Sequence, residues 1–172
     1  MTNEQTIEKL YDLKLGAMAE AFRESLSRAQ ETQLSFAERF GLLVDREWTR
    51  REENRLTRRL KTARLRVSAS IEEVDFSTPR GLDREVFLAL AGGRYLKEHH
   101  NVIICGATGL GKTYLACALA DKACRDGSTS LYYRLPRLGF ELALSRADGS
   151  YGTPRVLRRL VHSYATTEVA TC

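Results

Sequence analysis

The stretch Gly106-Ala107-Thr108-Gly109-Leu110-Gly111-Lys112-Thr113 constrains this chain more than any other part of its 172 residues. It has the form Gly, four residues, Gly-Lys-Thr, in which glycines let successive backbone amides turn inward around phosphate oxygens. At this spacing Lys112 can reach β- and γ-phosphates as a point charge, and the Thr113 hydroxyl can hold Mg²⁺. The flanks supply the context that this chemistry requires. Asn101-Val-Ile-Ile-Cys105 is a short β-branched run of the kind a buried parallel strand shows. From Lys112 to Arg125, Leu115, Ala116, Leu119, Ala120 and Ala123 recur on one helical face, with Gly127 as a C-terminal stop. The helix N-terminus then aims its free amides at the same anion. Strand, glycine turn and helix point to a bound nucleoside triphosphate with Mg²⁺, ATP or a close relative.

The rest of the chain falls into segments around that motif. Ser130-Leu-Tyr-Tyr-Arg134 reads as a second strand, and Pro136 opens a helix with Leu138, Leu142 and Ala143 inward that ends near Asp148-Gly149. Strand, helix, strand makes this part α/β. Upstream, residues 82–91 read as a helix ended by Gly92-Gly93. The first third reads as helix throughout. Thr2 with Gln5 and Ser35 with Glu38 form capping boxes. Phe36, Phe40, Leu43, Val44 and Trp48, continued by Leu56, Leu60 and Ala63, form an expected buried row. The expected division is a helical domain over 1–67, a linker over 68–81 where Pro79 and Gly81 break periodicity, a phosphate-loop domain over 82–150, and a tail over 151–172.

Charge separates these parts. Nine basic and three acidic residues lie between Arg46 and Arg66, so this segment carries +6 of a net +5 and the remainder sums to −1. Glutamates at i, i+3 and i+4 spacing can absorb part of this charge within a helix. The surplus arginines, Arg51, Arg55, Arg58, Arg59 and Arg66, are expected to grip a duplex phosphate backbone. Cys105, Cys117, Cys124 and Cys172 form no metal-ligand spacing, and the three histidines have no suitable companions, so no metal centre is expected beyond the nucleotide's Mg²⁺. No apolar run is long enough to span a bilayer and the N-terminus carries no secretory leader, which suggests a cytoplasmic protein without membrane attachment.

Three stretches carry a family resemblance. Residues 101–119 with 122–127 and 131–138, then 9–22 with 36–47, and finally 76–84 resemble the IstB-type ATP-binding proteins of insertion sequences. The resemblance covers roughly residues 1–150. It implies an AAA+ ATPase with a helical N-terminal domain followed by a parallel-sheet domain, which assembles on DNA with nucleotide and assists a transposase. Helicase loaders of the DnaC kind are related to that family and form the alternative reading. After Tyr151 the resemblance is lost. The family would continue into a strand ending in paired acidic residues, the Walker B element, whereas the only acidic residue here is Glu168 in a Thr/Ala-rich tail. The sequence reading is therefore of an incomplete parallel-sheet domain, as in a truncated or frame-shifted copy. Such a chain would bind ATP but hydrolyse it poorly, or act only as an inactive nucleotide-binding fragment. It would leave the Val102–Ile104 strand without backbone partners and hence prone to aggregation.

Overall fold

The structure is a computed structural model that describes residues 2–27, 34–149 and 167–168. It forms two compact units, and the division between Arg55 and Leu56 falls inside one long helix. Each unit is described by itself.

The first unit begins with α1 (Asn3–Asp12) and α2 (Gly16–Ser27), followed by most of α3 (Phe36–Ala63). The Thr2 capping box forms as expected: the Gln5 amide donates to Thr2 Oγ1 at 3.4 Å and the Thr2 amide to Gln5 Oε1 at 3.1 Å. Ser35 and Glu38 close the second box, with the Ser35 amide 2.8 Å from Glu38 Oε2 and the Glu38 amide 3.3 Å from Ser35 Oγ. α2 has no acidic residue in its own first turn. Glu47 of α3 fills that role: its Oε2 accepts from the Ala17 amide at 3.0 Å and the Met18 amide at 3.2 Å. Glu47 Oε1 also accepts from Arg51 Nε at 2.8 Å. A carboxylate against a helix N-terminus satisfies amides that have no partner within their helix.

The apolar row of α3 is borne out at its C-terminal end, where Ala63 is buried and Leu56 and Leu60 are half-buried, but departs from expectation nearer its start. Phe36 is 75% exposed and Trp48 64%, and Phe40 and Val44 are also open to solvent. Helical periodicity shows that these side chains share a face, but it cannot show that another element covers it. Phe36 and Phe40 stack only on each other, with ring centroids 6.1 Å apart.

The second unit opens with the last turns of α3. It continues through α4 (Arg84–Ala91), the short α5 (Arg94–Lys97), β1 (Val102–Ile103), α6 (Lys112–Arg125) and α7 (Leu135–Ala147), and includes β2 (Thr167–Glu168). Its core is built around α6, where Leu115, Ala116, Cys117, Ala118, Leu119, Ala123 and Cys124 are buried. The small residues let neighbouring segments approach closely. Phe87 and Ala91 of α4 pack on α6 with Ala69 and Val74. The 68–81 segment, expected as a linker, therefore belongs to this core. Its Ala69 and Val74 are 5% and 6% exposed, and Phe76 meets Phe87 edge-on at 6.0 Å. Pro79 and Gly81 break periodicity but do not prevent burial, since irregular backbone can pack where its apolar side chains find a surface.

Asp83 caps α4, accepting at Oδ1 from the Glu85 amide at 2.8 Å and the Val86 amide at 3.1 Å. Gly92 and left-handed Gly93 end that helix, as the sequence suggested. α7 also occupies its expected place, with Leu138 and Leu142 half-buried, although Ala143 is exposed.

Two strand expectations are corrected. Residues 130–134 form no strand; the Tyr132 amide donates to Ala63 O at 2.8 Å and Ser130 Oγ to Ala120 O at 3.1 Å. This run is thus tied to the end of α3 and to the body of α6 instead of a sheet edge. β1, in contrast, does have a backbone neighbour: it pairs in parallel with β2, Val102 opposite Thr167 and Ile103 opposite Glu168. The sheet among the described residues is these two short strands, so α/β holds for the order strand, loop, helix while helix dominates. Among the described residues no helix is long and apolar enough to cross a membrane. The remainder of the 151–172 tail lies outside the described residues.

Candidate functional site

The glycine loop occupies its expected position between β1 and α6, and its local geometry follows from a few backbone constraints. Gly111 is the N-cap of α6 with φ +82°, and no side chain caps the helix there. The first amides of α6 are therefore left for an external acceptor, which suits an anion. Gly111 is also crowded: a Cβ there would lie 3.1 Å from Arg80 Nη1. Gly106 has φ +152°, and a Cβ there would meet Leu110 Cδ1 at 3.3 Å. A side chain at either position would be strained by torsion and by contact together.

Lys112 folds back over the loop. Its Nζ donates to Gly106 O at 2.7 Å and to Ala107 O at 2.9 Å. Two of the loop's carbonyls are thus gathered around one ammonium. Thr113 lies in the first turn of α6, half-buried, next to Tyr114, whose hydroxyl donates to Glu73 Oε2 at 3.2 Å. Burial, that hydrogen bond and the Glu73 charge raise the Tyr114 pKa above its ordinary value. Ala107, Thr108 and Gly109 are exposed at the crest of the turn, and Leu110 is half-buried beneath it. All eight residues named from sequence, 106–113, form one continuous turn at the N-terminus of one helix. No group of three or more His, Cys, Asp or Glu capable of holding a metal ion exists among the described residues. A cation here would depend on Thr113 and on the nucleotide's own oxygens.

One residue of this site was not legible in the sequence. Arg80, from the segment read as linker, places Nη1 3.5 Å from Leu110 O and donates through Nη2 to Asp75 O. Thirty residues separate it from Leu110, and no spacing rule links the two. Asp75 accepts from Ser77 Oγ at 2.6 Å and the Ser77 amide at 2.8 Å, and also from the Thr78 hydroxyl. These bonds, the Ser77 and Thr78 hydroxyls first, hold the Asp75 carboxyl well below the usual carboxylate range.

The arginines expected to face nucleic acid divide into two groups. Arg51 is engaged by Glu47 and by Lys14 O, the latter at 3.2 Å, and Arg55 pairs with Glu52. Arg59 Nη1 lies 3.4 Å from Cys124 O, at the C-terminal end of α6. Arg58 and Arg66 are exposed and have no carboxylate within 4.0 Å among the described residues. Arg66 lines a cavity of roughly 560 Å³ with Arg64, Tyr132, Tyr133, Arg134 and Arg137. The lining of that cavity shares no residue with the phosphate loop.

Comparison with known proteins shows the family. The family described as IstB-like ATP binding protein matches residues 8–164. The match extends beyond Tyr151, which corrects the expectation that similarity ends there. An inferred insertion sequence ATP-binding protein of Sinorhizobium fredii is 48% identical over 157 residues, covering 91% of this chain and 63% of the relative. An inferred ATP-binding protein of insertion sequence IS1162 from Pseudomonas fluorescens is 42% identical, covering 93% of this chain and 69% of its own length. A third, for insertion sequence IS21 in Pseudomonas aeruginosa, is 35% identical over 73% of this chain and 48% of the relative. The chain thus spans about half to two thirds of the length of these relatives. With a phosphate loop built as above and a match over nearly its whole length, the chain belongs to the IstB-like ATP-binding protein family.

Proposed function

We propose that this chain binds ATP with Mg²⁺ at residues 106–113 and serves in the cytoplasm as a helper of transposition, engaging DNA and a transposase. The observation that carries the reading is the posture of Lys112. Its ammonium is held by the Gly106 and Ala107 carbonyls across the mouth of a loop whose helix N-terminus has no side-chain cap. Incoming phosphates supply stronger, charged partners for the same ammonium and for the free amides. Gly106, Gly109 and Gly111 would keep the backbone close to the phosphates, and the Thr113 hydroxyl would hold the Mg²⁺, whose charge would offset that of the phosphates. The relatives named for ATP binding in insertion sequences support the same assignment.

Hydrolysis is proposed to be slow relative to binding. In-line attack needs carboxylates that hold Mg²⁺ and orient water, and among the described residues no group of three or more His, Cys, Asp or Glu is placed to hold a metal ion. DNA is proposed to lie on exposed arginines, with Arg58 and Arg66 contributing more than Arg51, Arg55 and Arg59, whose guanidiniums have intramolecular partners. Nucleotide-dependent self-assembly on DNA completes the proposal.

The test is nucleotide binding and turnover on the wild type and Lys112→Ala side by side. The expected result is ATP binding by the wild type, loss of about 100-fold or more in the variant, and little turnover in either. Equal affinity in both proteins would remove the loop from the site, and robust turnover by the wild type would remove the claim about hydrolysis.

A further inference from the structure

The phosphate site as read from sequence has a single cation, Lys112. The structure brings a second cationic side chain to the Leu110–Gly111 part of the loop, away from the Gly106 and Ala107 carbonyls that hold Lys112. Arg80 reaches the loop from outside: Nη1 is 3.5 Å from Leu110 O and in van der Waals range of Gly111, where an added Cβ would lie 3.1 Å away. Its Nη2 is tethered to Asp75 O. Its Nε is buried and is the one such side-chain nitrogen or oxygen without a hydrogen-bond partner among the described residues. A guanidinium donor withdrawn from water and left without an acceptor is costly, so an acceptor brought to Nε would bind favourably.

We infer that Arg80 is the second cationic side chain of the phosphate site, pairing with the nucleotide's phosphate oxygens at the Leu110–Gly111 part of the loop. The inference rests on the ATP-binding reading of residues 106–113. Three features favour it over a purely structural tie. The contact with Leu110 O is at the outer limit of a hydrogen bond, so little is lost when Nη1 exchanges it for an anion while Nη2 stays on Asp75 O. The flat guanidinium fork suits two phosphate oxygens at once, a match that a backbone carbonyl does not use. Finally, the anchor is built to hold the arginine's backbone in place: Asp75 locks Ser77 and Thr78 into a tight turn immediately before Pro79. The base of the arm is fixed while its tip has a weak bond and an unused donor. Arg80 thereby links the 75–81 segment to the state of the nucleotide, because its guanidinium makes the hydrogen bond from this segment to the loop.

The experiment uses the full chain with ADP and ATP as probes. Dissociation constants and thermal midpoints, with and without nucleotide, are measured for wild type, Arg80→Gln, Arg80→Lys and Lys112→Ala. Arg80→Gln is expected to weaken both nucleotides by about tenfold, the scale of one charge-assisted hydrogen bond. It should shrink the nucleotide-induced rise in midpoint while leaving the ligand-free midpoint nearly unchanged. Arg80→Lys should recover part of the affinity, since the charge returns without the fork. In the wild type, the Arg80 Nε–H resonance should shift and exchange more slowly when ADP is added, a readout that does not depend on how any variant folds. Arg80→Gln affinities within twofold of wild type, with Lys112→Ala abolishing binding, would overturn the inference and leave the site standing. A fall in the ligand-free midpoint with unchanged affinity would reduce Arg80 to a structural tie, and an Nε–H resonance indifferent to ADP would likewise overturn its role. Failure of the wild type to bind either nucleotide at millimolar concentration would instead refute the ATP-binding reading itself.

Discussion

Replacing Glu47 with alanine tests the account of the helical unit most directly. Glu47 is 8% exposed, and its carboxylate accepts from the Ala17 amide at 3.0 Å, the Met18 amide at 3.2 Å and Arg51 Nε at 2.8 Å. Loss of a helix N-cap costs about 1–2 kcal/mol. The Ala17 amide would be left without an acceptor beside a side chain only 4% exposed, adding roughly 1 kcal/mol. The i,i+4 pair with the half-exposed Arg51 adds a few tenths at most. The sum is about 3 kcal/mol, which in a unit of this size lowers its thermal midpoint by more than about 10 °C. Glu47→Gln keeps one acceptor and the side-chain volume, so about half that loss is expected.

The pH dependence has a definite sign. Burial by itself pushes the Glu47 carboxyl up, but the Arg51 hydrogen bond, the Met18 and Ala17 amides and the Arg51 charge together hold its pKa below the ordinary 4.5. The carboxylate therefore stabilises the folded unit fully above the unfolded value of about 4.5 and progressively less as pH falls through the lower folded value. Glu47→Gln should lack this contribution to the acid dependence. Helical circular dichroism followed through thermal unfolding at neutral and acid pH gives the stabilities, and amide exchange at Ala17 and Met18 reports the cap itself. A Glu47→Ala midpoint within 2 °C of wild type, with both amides still protected, would refute the reasoning.

Other consequences can be checked separately. Asp83→Ala removes the acceptor for two amides at the start of α4 and should cost about 1 kcal/mol in urea unfolding. Gly111→Ala forces a side chain into a left-handed position against Arg80 and should weaken ATP binding by roughly tenfold, measured by nucleotide titration. Charge reversal of Arg58 and Arg66 should lower the slope of log affinity for duplex DNA against log salt by about 2, while the same change at Arg51 and Arg55 should have a smaller effect. Trp48, 64% exposed, should emit as a water-exposed indole and be quenched readily by acrylamide; a blue-shifted, protected emission would mean that a second surface covers it.

Local chemistry was the most legible part of the sequence. The capping boxes at Thr2 and Ser35, the start of α6 at Lys112 and the glycine end of α4 all form as their residues suggest, because each depends on atoms within a few positions along the chain. The eight-residue loop is of the same kind: its glycines, Lys112 and Thr113 are adjacent in sequence and meet without help from distant segments. The expectations that changed depended on partners far away. The aromatic row of α3 shares a face, as the period requires, yet that face remains exposed. Residues 130–134 have strand-like composition but are held by Ala63 and Ala120. Apolar and β-branched residues state a preference for burial or extension; they do not name the surface that satisfies it.

The sequence by itself thus determined that a phosphate-binding turn lies between a β-branched run and a small-residue helix, since torsional freedom, charge and spacing are written in consecutive residues. The family resemblance was legible for the same reason. Only the tertiary structure decided that the 68–81 segment belongs to the core, that Glu47 of one helix caps another, and that Arg80 stands beside the loop. Each of these pairs or buries groups across long or unequal spacings, where the outcome depends on which surfaces the packed chain brings within about 3 Å for a hydrogen bond. Such short-range forces act only after the chain has folded, and no periodicity along the sequence encodes them.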